Sequence, residues 1–181
     1  MRVLILHGWG ANSESNWFQW LKKELENKGV RVYCPNLPDS DYPKMKEWLK
    51  VINDLIGNFD DVVIIGHSLG AVAIPRILEK LKGDEKIKAG ILVSGFVNNP
   101  NIEEINDFFK ERVDWEKVRS KAGKFYIINS DNDPYVPIKE AELLHQKLGG
   151  ELIIEKGLGH INAGSGFLEY KKVLDIILNL E

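Results

Sequence analysis

The chain has 181 residues and a formal net charge of −3, with its 24 lysines and arginines scattered rather than massed. That length suits one domain able to bury about two-thirds of the surface of its unfolded chain, and the charge pattern lacks the basic footprint of a nucleic-acid binder. One cysteine, Cys34, rules out an internal disulfide and fits a reducing compartment, while no apolar run reaches the roughly 18 residues of a membrane span.

The opening MRVLILHG enters an apolar run at once and ends it at glycine, unlike a secretory signal. Val3 to Leu6 is therefore expected as a first strand, and the protein as soluble and cytoplasmic. His7, Gly8, Trp9 and Gly10 follow in a loop. Asn12 or Ser13 is placed to cap a helix with apolar positions Trp17, Phe18, Leu21 and Leu25 and a stop at Gly29. Val30 to Cys34 reads as a second strand, with Cys34 a small buried residue at its end. The three prolines of PNLPDSDYP indicate an extended loop. Met45, Trp48, Leu49, Ile52, Leu55 and Ile56 then mark one face of a helix that stops at Gly57.

Val62 to Ile65 is a third, all-apolar strand, running into Gly66-His67-Ser68-Leu69-Gly70 and a helix through about Leu81 that contains Pro75. Ala89 to Val93 makes a fourth strand. From Phe96 to Gly123 short helical stretches carry Ile102, Ile105, Phe108, Phe109, Trp115 and Val118, the natural place for a small lid. Phe125 to Ile128 is strand five, Ala141, Leu144 and Leu148 lie on the next helix, and Leu152 to Ile154 is strand six. The last helix is expected to bury Phe167, Tyr170, Val173, Leu174 and Ile177. Apolar strands alternating with helices predict an α/β layered fold on a mainly parallel sheet, six strands in a single domain over 1–181.

In such sheets a ligand lies outside the carboxyl ends of the strands. The first strand ends at His7-Gly8-Trp9, the third at Ser68, the fifth at Asp131-Asn132-Asp133, and the loop after the sixth carries His160. The G-x-S-x-G spacing has a mechanical reason: a serine at so sharp a strand-to-helix turn needs small residues two before and two after it. A serine hydroxyl needs a base to take its proton, and the base needs a carboxylate to fix its tautomer. Ser68, His160 and an aspartate, Asp133 or Asp131, supply that set in the order serine, acid, histidine. The Leu69 amide, at a helix N-terminus, and the Trp9 amide are placed to hold a developing oxyanion.

The motifs LHGWGANSESNW, GHSLGA, SDNDPYVP and GHINAGSGF, in that order across most of the chain, give a resemblance that can be named. The chain resembles a compact α/β-hydrolase without the first two strands of larger members. More narrowly, it is similar to the small serine hydrolases related to retinoblastoma-binding protein nine and their bacterial YdeN-like relatives. The resemblance implies a three-layer core with a short helical lid over 96–123. It also implies Ser68 as nucleophile, Asp133 as acid, His160 as base, and the Trp9 and Leu69 amides as oxyanion hole. The expected substrate is a small acyl compound. VYCPN offers no L-x-C-x-E motif, so a retinoblastoma partner is not carried over.

Around that set, His67 is expected to support the serine turn and His7 the loop backbone. Asn98, Asn99 and Asn162 are expected to brace loops, and Trp9 to wall an acyl pocket. No cofactor, phosphate-binding loop or metal-ligand spacing is present in the sequence. Two other functions are compatible with it: a protein-binding module on the same fold with a vestigial site, and acyl transfer or thioester cleavage.

Overall fold

The computed structural model describes residues 1–180. Strand β1 (Arg2–Leu6) leads to helix α1 (Phe18–Glu26), followed by β2 (Arg31–Tyr33), α2 (Met45–Ile56), β3 (Val62–His67) and α3 (Leu69–Leu78). Strand β4 (Ile87–Val93) leads through 3-10 turns over Glu103–Phe109 to the short α4 (Trp115–Ser120) and β5 (Ala122–Ser130). Helix α5 (Ile138–Leu148), β6 (Glu151–Glu155) and α6 (Lys171–Leu178) complete the chain. The six strands lie in the order β2-β1-β3-β4-β5-β6 and every pair is parallel.

Alternation along the strands sends side chains to two cores. Leu4, Leu6, Ile64 and Leu92 face α2, α3 and α5, where they meet Trp48, Ile52, Ile74 and Leu144. Val3, Ile5, Val63 and Ile65 face α1 and α6, where they meet Phe18, Leu21, Val173 and Ile177. Helices on both faces give the three layers and explain why the central strands are apolar throughout. This is the α/β-hydrolase arrangement with a short helical lid between β4 and β5.

Several element ends differ from the sequence reading. Helix α1 begins at Phe18, not at Asn12 or Ser13. The Asn12 side chain caps a turn at the Glu14 amide instead, 2.9 Å away, and Asn16, at φ 55°, breaks the helical path. Strand β5 starts at Ala122 and takes in Gly123, because the ladder with β4 continues past the exposed polar residues that hide it in the sequence. Helix α3 ends at Leu78. Helix α6 starts after Tyr170, which is buried before the first turn, and Phe167 is half-buried in the preceding loop.

The sheet's connections run one way from β1 to β2 and the other way from β3 onward. The carboxyl ends of β1 and β3 therefore border the crevice where such sheets bind ligands. Gly8 lies there against Ser68: a Cβ on Gly8 would sit 3.1 Å from the Ser68 Cβ.

Candidate active site

At the end of β3 the chain turns so sharply that Ser68 takes φ 55° and ψ −120°, a conformation side chains rarely adopt. Its flanking glycines are obligatory. A Cβ on Gly66 would lie 2.3 Å from the Gly70 carbonyl oxygen, and one on Gly70 would lie 2.3 Å from that of Leu6. The turn lifts Ser68 into a cavity of about 330 Å³ that it shares with Trp9, Leu69 and His160.

His160 stands in the loop after β6. Its Nδ1 lies 2.8 and 3.0 Å from the two carboxylate oxygens of Asp133, and the carboxylate is fully enclosed. Burial pushes the Asp133 carboxyl up, but hydrogen bonds from His160 and from the amides of Val136 and Tyr135 outweigh it and hold the group below the usual range. A carboxylate on Nδ1 fixes that nitrogen as the protonated one and leaves Nε2 free to accept. No hydrogen bond joins Ser68 Oγ to His160 among the described residues; both line the one cavity.

The four side chains from Ser130 to Asp133 engage four successive residues of the histidine loop. Asp131 accepts from the Gly157 amide, Ser130 from that of Leu158 and Asn132 from that of Gly159, each at 2.8 Å, and Asp133 takes the His160 ring. Of the two candidate aspartates, Asp133 therefore meets the imidazole and Asp131 ties the loop. The bracing by Ser130 and Asn132 is absent from the sequence reading, although both stand in the motif SDND that flags the acid. Trp17, read from its spacing as an apolar helix position, donates through Nε1 to the Ile161 carbonyl at 2.9 Å.

Two of the three other histidines hold main-chain groups. His67 Nε2 donates to the His160 carbonyl at 2.9 Å, and burial, then the neighbouring His160, push its pKa down to about 3. His7 Nε2 accepts from the Leu37 amide at 2.9 Å, and its Nδ1 donates to the Gly8 carbonyl at 2.8 Å; burial lowers its pKa. In a trans peptide the N–H points opposite to the C=O, so His7 sets the plane that aims the Trp9 amide. Neither the Trp9 nor the Leu69 amide donates to another group among the described residues.

The expected braces are in place. Asn98 bonds Glu140, Asn99 bonds Ile102, and Asn162 accepts from Ser165. Trp9 is exposed at the cavity mouth, with its indole nitrogen on the Asp41 carbonyl. The four aromatics expected over 96–123 divide: Phe96 lines the cavity, whereas Phe108 packs edge-on against Trp48 in the core. Cys34 is half-buried just past β2, and burial pushes its thiol up to about 12, which removes it as a nucleophile. Among the described residues, no group of three histidine, cysteine or acidic side chains is placed to hold a metal, and no helix is long and apolar enough to cross a membrane.

The profile of the serine hydrolase family matches residues 3–179. The chain belongs to the serine hydrolase family. It is 31% identical over 178 residues to YdeN of Bacillus subtilis (strain 168), provisionally named a hydrolase, covering 97% of this chain and 94% of that one. It is 27% identical over 157 residues to the serine hydrolase RBBP9 of Rattus norvegicus, covering 85% and 82%. The crystal structure of the ydeN gene product from B. subtilis superposes with a TM-score of 0.93 at 30% identity, over 99% of this chain and 97% of that one. Est1E from Butyrivibrio proteoclasticus superposes at 0.74 with 16% identity, over 99% and 87%, a likeness of fold alone.

Proposed function

We propose that this serine hydrolase cleaves small carboxylic esters, or closely related acyl compounds, through an acyl-enzyme on Ser68, with His160 as base and Asp133 as its carboxylate. One observation carries the reading: an enclosed carboxylate sits on Nδ1 of a histidine that lines the same cavity as a serine held on a strained, glycine-flanked turn.

His160 Nε2 takes the Ser68 proton as Oγ attacks the carbonyl carbon, and the carbonyl π pair moves onto oxygen. The unengaged amides of Leu69 and Trp9 receive that oxyanion. As it collapses, the bond to the leaving group breaks, His160 returns the proton to the departing oxygen, and the acyl group stays on Ser68. Water, deprotonated by His160, repeats the sequence and releases the acid. Every group required belongs to the chain, so the reaction needs no cofactor.

Steady-state hydrolysis of a 4-nitrophenyl ester by three variants tests the roles. Ser68→Ala lowers kcat by about 10⁶-fold and Asp133→Asn by about 10⁴-fold. Asp131→Asn keeps an oxygen for the Gly157 amide and stays within about 3-fold of the parent. A parent-like Asp133→Asn, or an Asp131→Asn as inactive as Ser68→Ala, contradicts the assignment.

A further inference from the structure

The cavity at Ser68 is lined by side chains from separate parts of the chain, and the reaction needs room there for both the leaving group and the acyl group. His160 must reach the leaving group to protonate it, so that group lies beside the imidazole. The cavity residues nearest His160 in the fold are Tyr135, with its ring edge-on to the imidazole at 5.1 Å, its neighbour Val136, and Asn162 two residues along the histidine loop. Phe96, Pro100, Ile102 and Ile105 also line the cavity and offer the acyl substituent of the same tetrahedral carbon an apolar surface. All four come from one ten-residue stretch of the lid. No lysine, arginine, aspartate or glutamate lines the cavity.

That stretch and residues 106–111 after it are fastened along their length. Glu140 on α5 accepts from the amides of Val97 and Asn98 at 2.7 and 3.0 Å. The Asn99 side chain accepts from the Ile102 amide at 2.8 Å and donates to its carbonyl at 2.9 Å. Asp107 accepts from the Met45 amide at 2.9 Å, and the buried Arg76 guanidinium holds the carbonyls of Phe108 and Glu111. Phe96 is stacked on Phe109 with centroids 5.8 Å apart. A wall held at so many points is a preformed surface, and at about 330 Å³ the cavity lies at the small end of ligand sites.

We propose, resting on the serine-hydrolase reading above, that residues 96–105 form a fixed, uncharged acyl pocket, and that the substrate is an ester of an apolar monocarboxylic acid whose leaving group departs past Tyr135 and Asn162. The pocket takes a chain of about four to eight carbons, by the size of the cavity. A carboxylate at the far end of the acyl chain would lose its water there with no partner to replace it.

The test is kcat/KM for the 4-nitrophenyl esters of acetate, butanoate, hexanoate, octanoate and dodecanoate, and for the hemiester of adipate, which matches hexanoate in length but carries a charge. Fluorophosphonate labelling of Ser68 is measured on the same preparations. The expected profile peaks at hexanoate or octanoate, about 10-fold or more above acetate and above dodecanoate, with hemiadipate about 30-fold or more below hexanoate. Ile102→Trp narrows the pocket and lowers the octanoate-to-acetate ratio about 10-fold, whereas Ile102→Ala moves the optimum to a longer chain. A labelled protein with a flat chain profile, with hemiadipate as good as hexanoate, with ratios unmoved by both variants, or with turnover of hemiadipate but of no neutral ester overturns the acyl pocket alone. A folded protein that is not labelled overturns the hydrolase reading and this proposal with it.

Discussion

His67 Nε2 donates to the main-chain carbonyl of His160 at 2.9 Å, so the turn that carries Ser68 also holds the backbone of the imidazole that must meet it. Ser94 Oγ reaches the same oxygen at 3.3 Å. Two donors from the ends of neighbouring strands thus fix one carbonyl. His67→Phe removes the stronger donor and should lower kcat about 10- to 100-fold through misplacement of His160, with little change in KM. His67→Gln can still donate and should recover part of the loss. Equal losses in both variants would show that ring packing, not the hydrogen bond, is what His67 provides.

Because His67 is buried and neutral, it also makes stability depend on pH. Unfolded, it binds a proton below its ordinary value of 6.5; folded, it does so only near 3. The unfolded state therefore holds more protons between those values, so His67's contribution is complete above the upper one and is lost as pH falls toward the lower. His7 acts in the same direction, and Asp133, whose carboxyl is held low, adds its loss below 3.8. Urea unfolding between about pH 6 and 4 should show a slope that His67→Gln reduces by about 1.4 kcal/mol per pH unit. An unchanged slope would mean that His67 is charged in the folded protein.

The serine turn leaves no room for a methyl group. A Cβ at Gly66 meets backbone atoms at 2.3 to 2.4 Å, and backbone cannot swing aside as a side chain can. Gly66→Ala should cost about 3 kcal/mol or more, about 6 to 12 °C in Tm for a chain of this size. Gly57→Ala meets no atom within 4 Å and costs only the strain of its positive φ, about 1–3 kcal/mol. Thermal melts of the two variants separate steric exclusion at the turn from glycine's conformational freedom.

Arg76 joins α3 to the lid through the carbonyls of Phe108 and Glu111, and pairs with Glu79, whose side chain accepts from the Asp114 amide at 2.7 Å. Arg76→Met leaves those carbonyls without their donor and should destabilise the protein by about 2–4 kcal/mol. The lid should open before the rest, so limited proteolysis of the variant should cut within residues 98–113 under conditions that leave the parent intact. Cleavage elsewhere first would mean that the lid is held mainly by its apolar contacts.

Much of this arrangement was legible in the sequence for a local reason. The order of strands and helices follows from apolar runs bounded by glycine and proline, and Ser68, His160 and a pair of candidate aspartates follow from strand ends, where this class of sheet places its ligands. The choice of Asp133 over Asp131 comes from the family resemblance. The ends of α1 and β5 were not legible, because a left-handed Asn16 and a ladder through exposed Gly123 and Lys124 leave no mark on hydropathy. Nor were the bonds from Ser130, Asp131 and Asn132 to the histidine loop, since they join residues 26 to 28 apart and obey no period. His67 was expected to support the turn, but the carbonyl it reaches lies 93 residues away and only the folded chain reveals it.

The most direct measurement is fluorophosphonate labelling of the purified protein beside Ser68→Ala and His160→Ala, with the modified peptide located by mass spectrometry. The probe forms its phosphorus–oxygen bond only with a serine whose proton a base removes. The account predicts stoichiometric labelling of the parent at Ser68 and none in either variant. A folded parent that stays unlabelled, or one labelled equally after His160→Ala, would contradict the assignment of Ser68 and His160 as nucleophile and base.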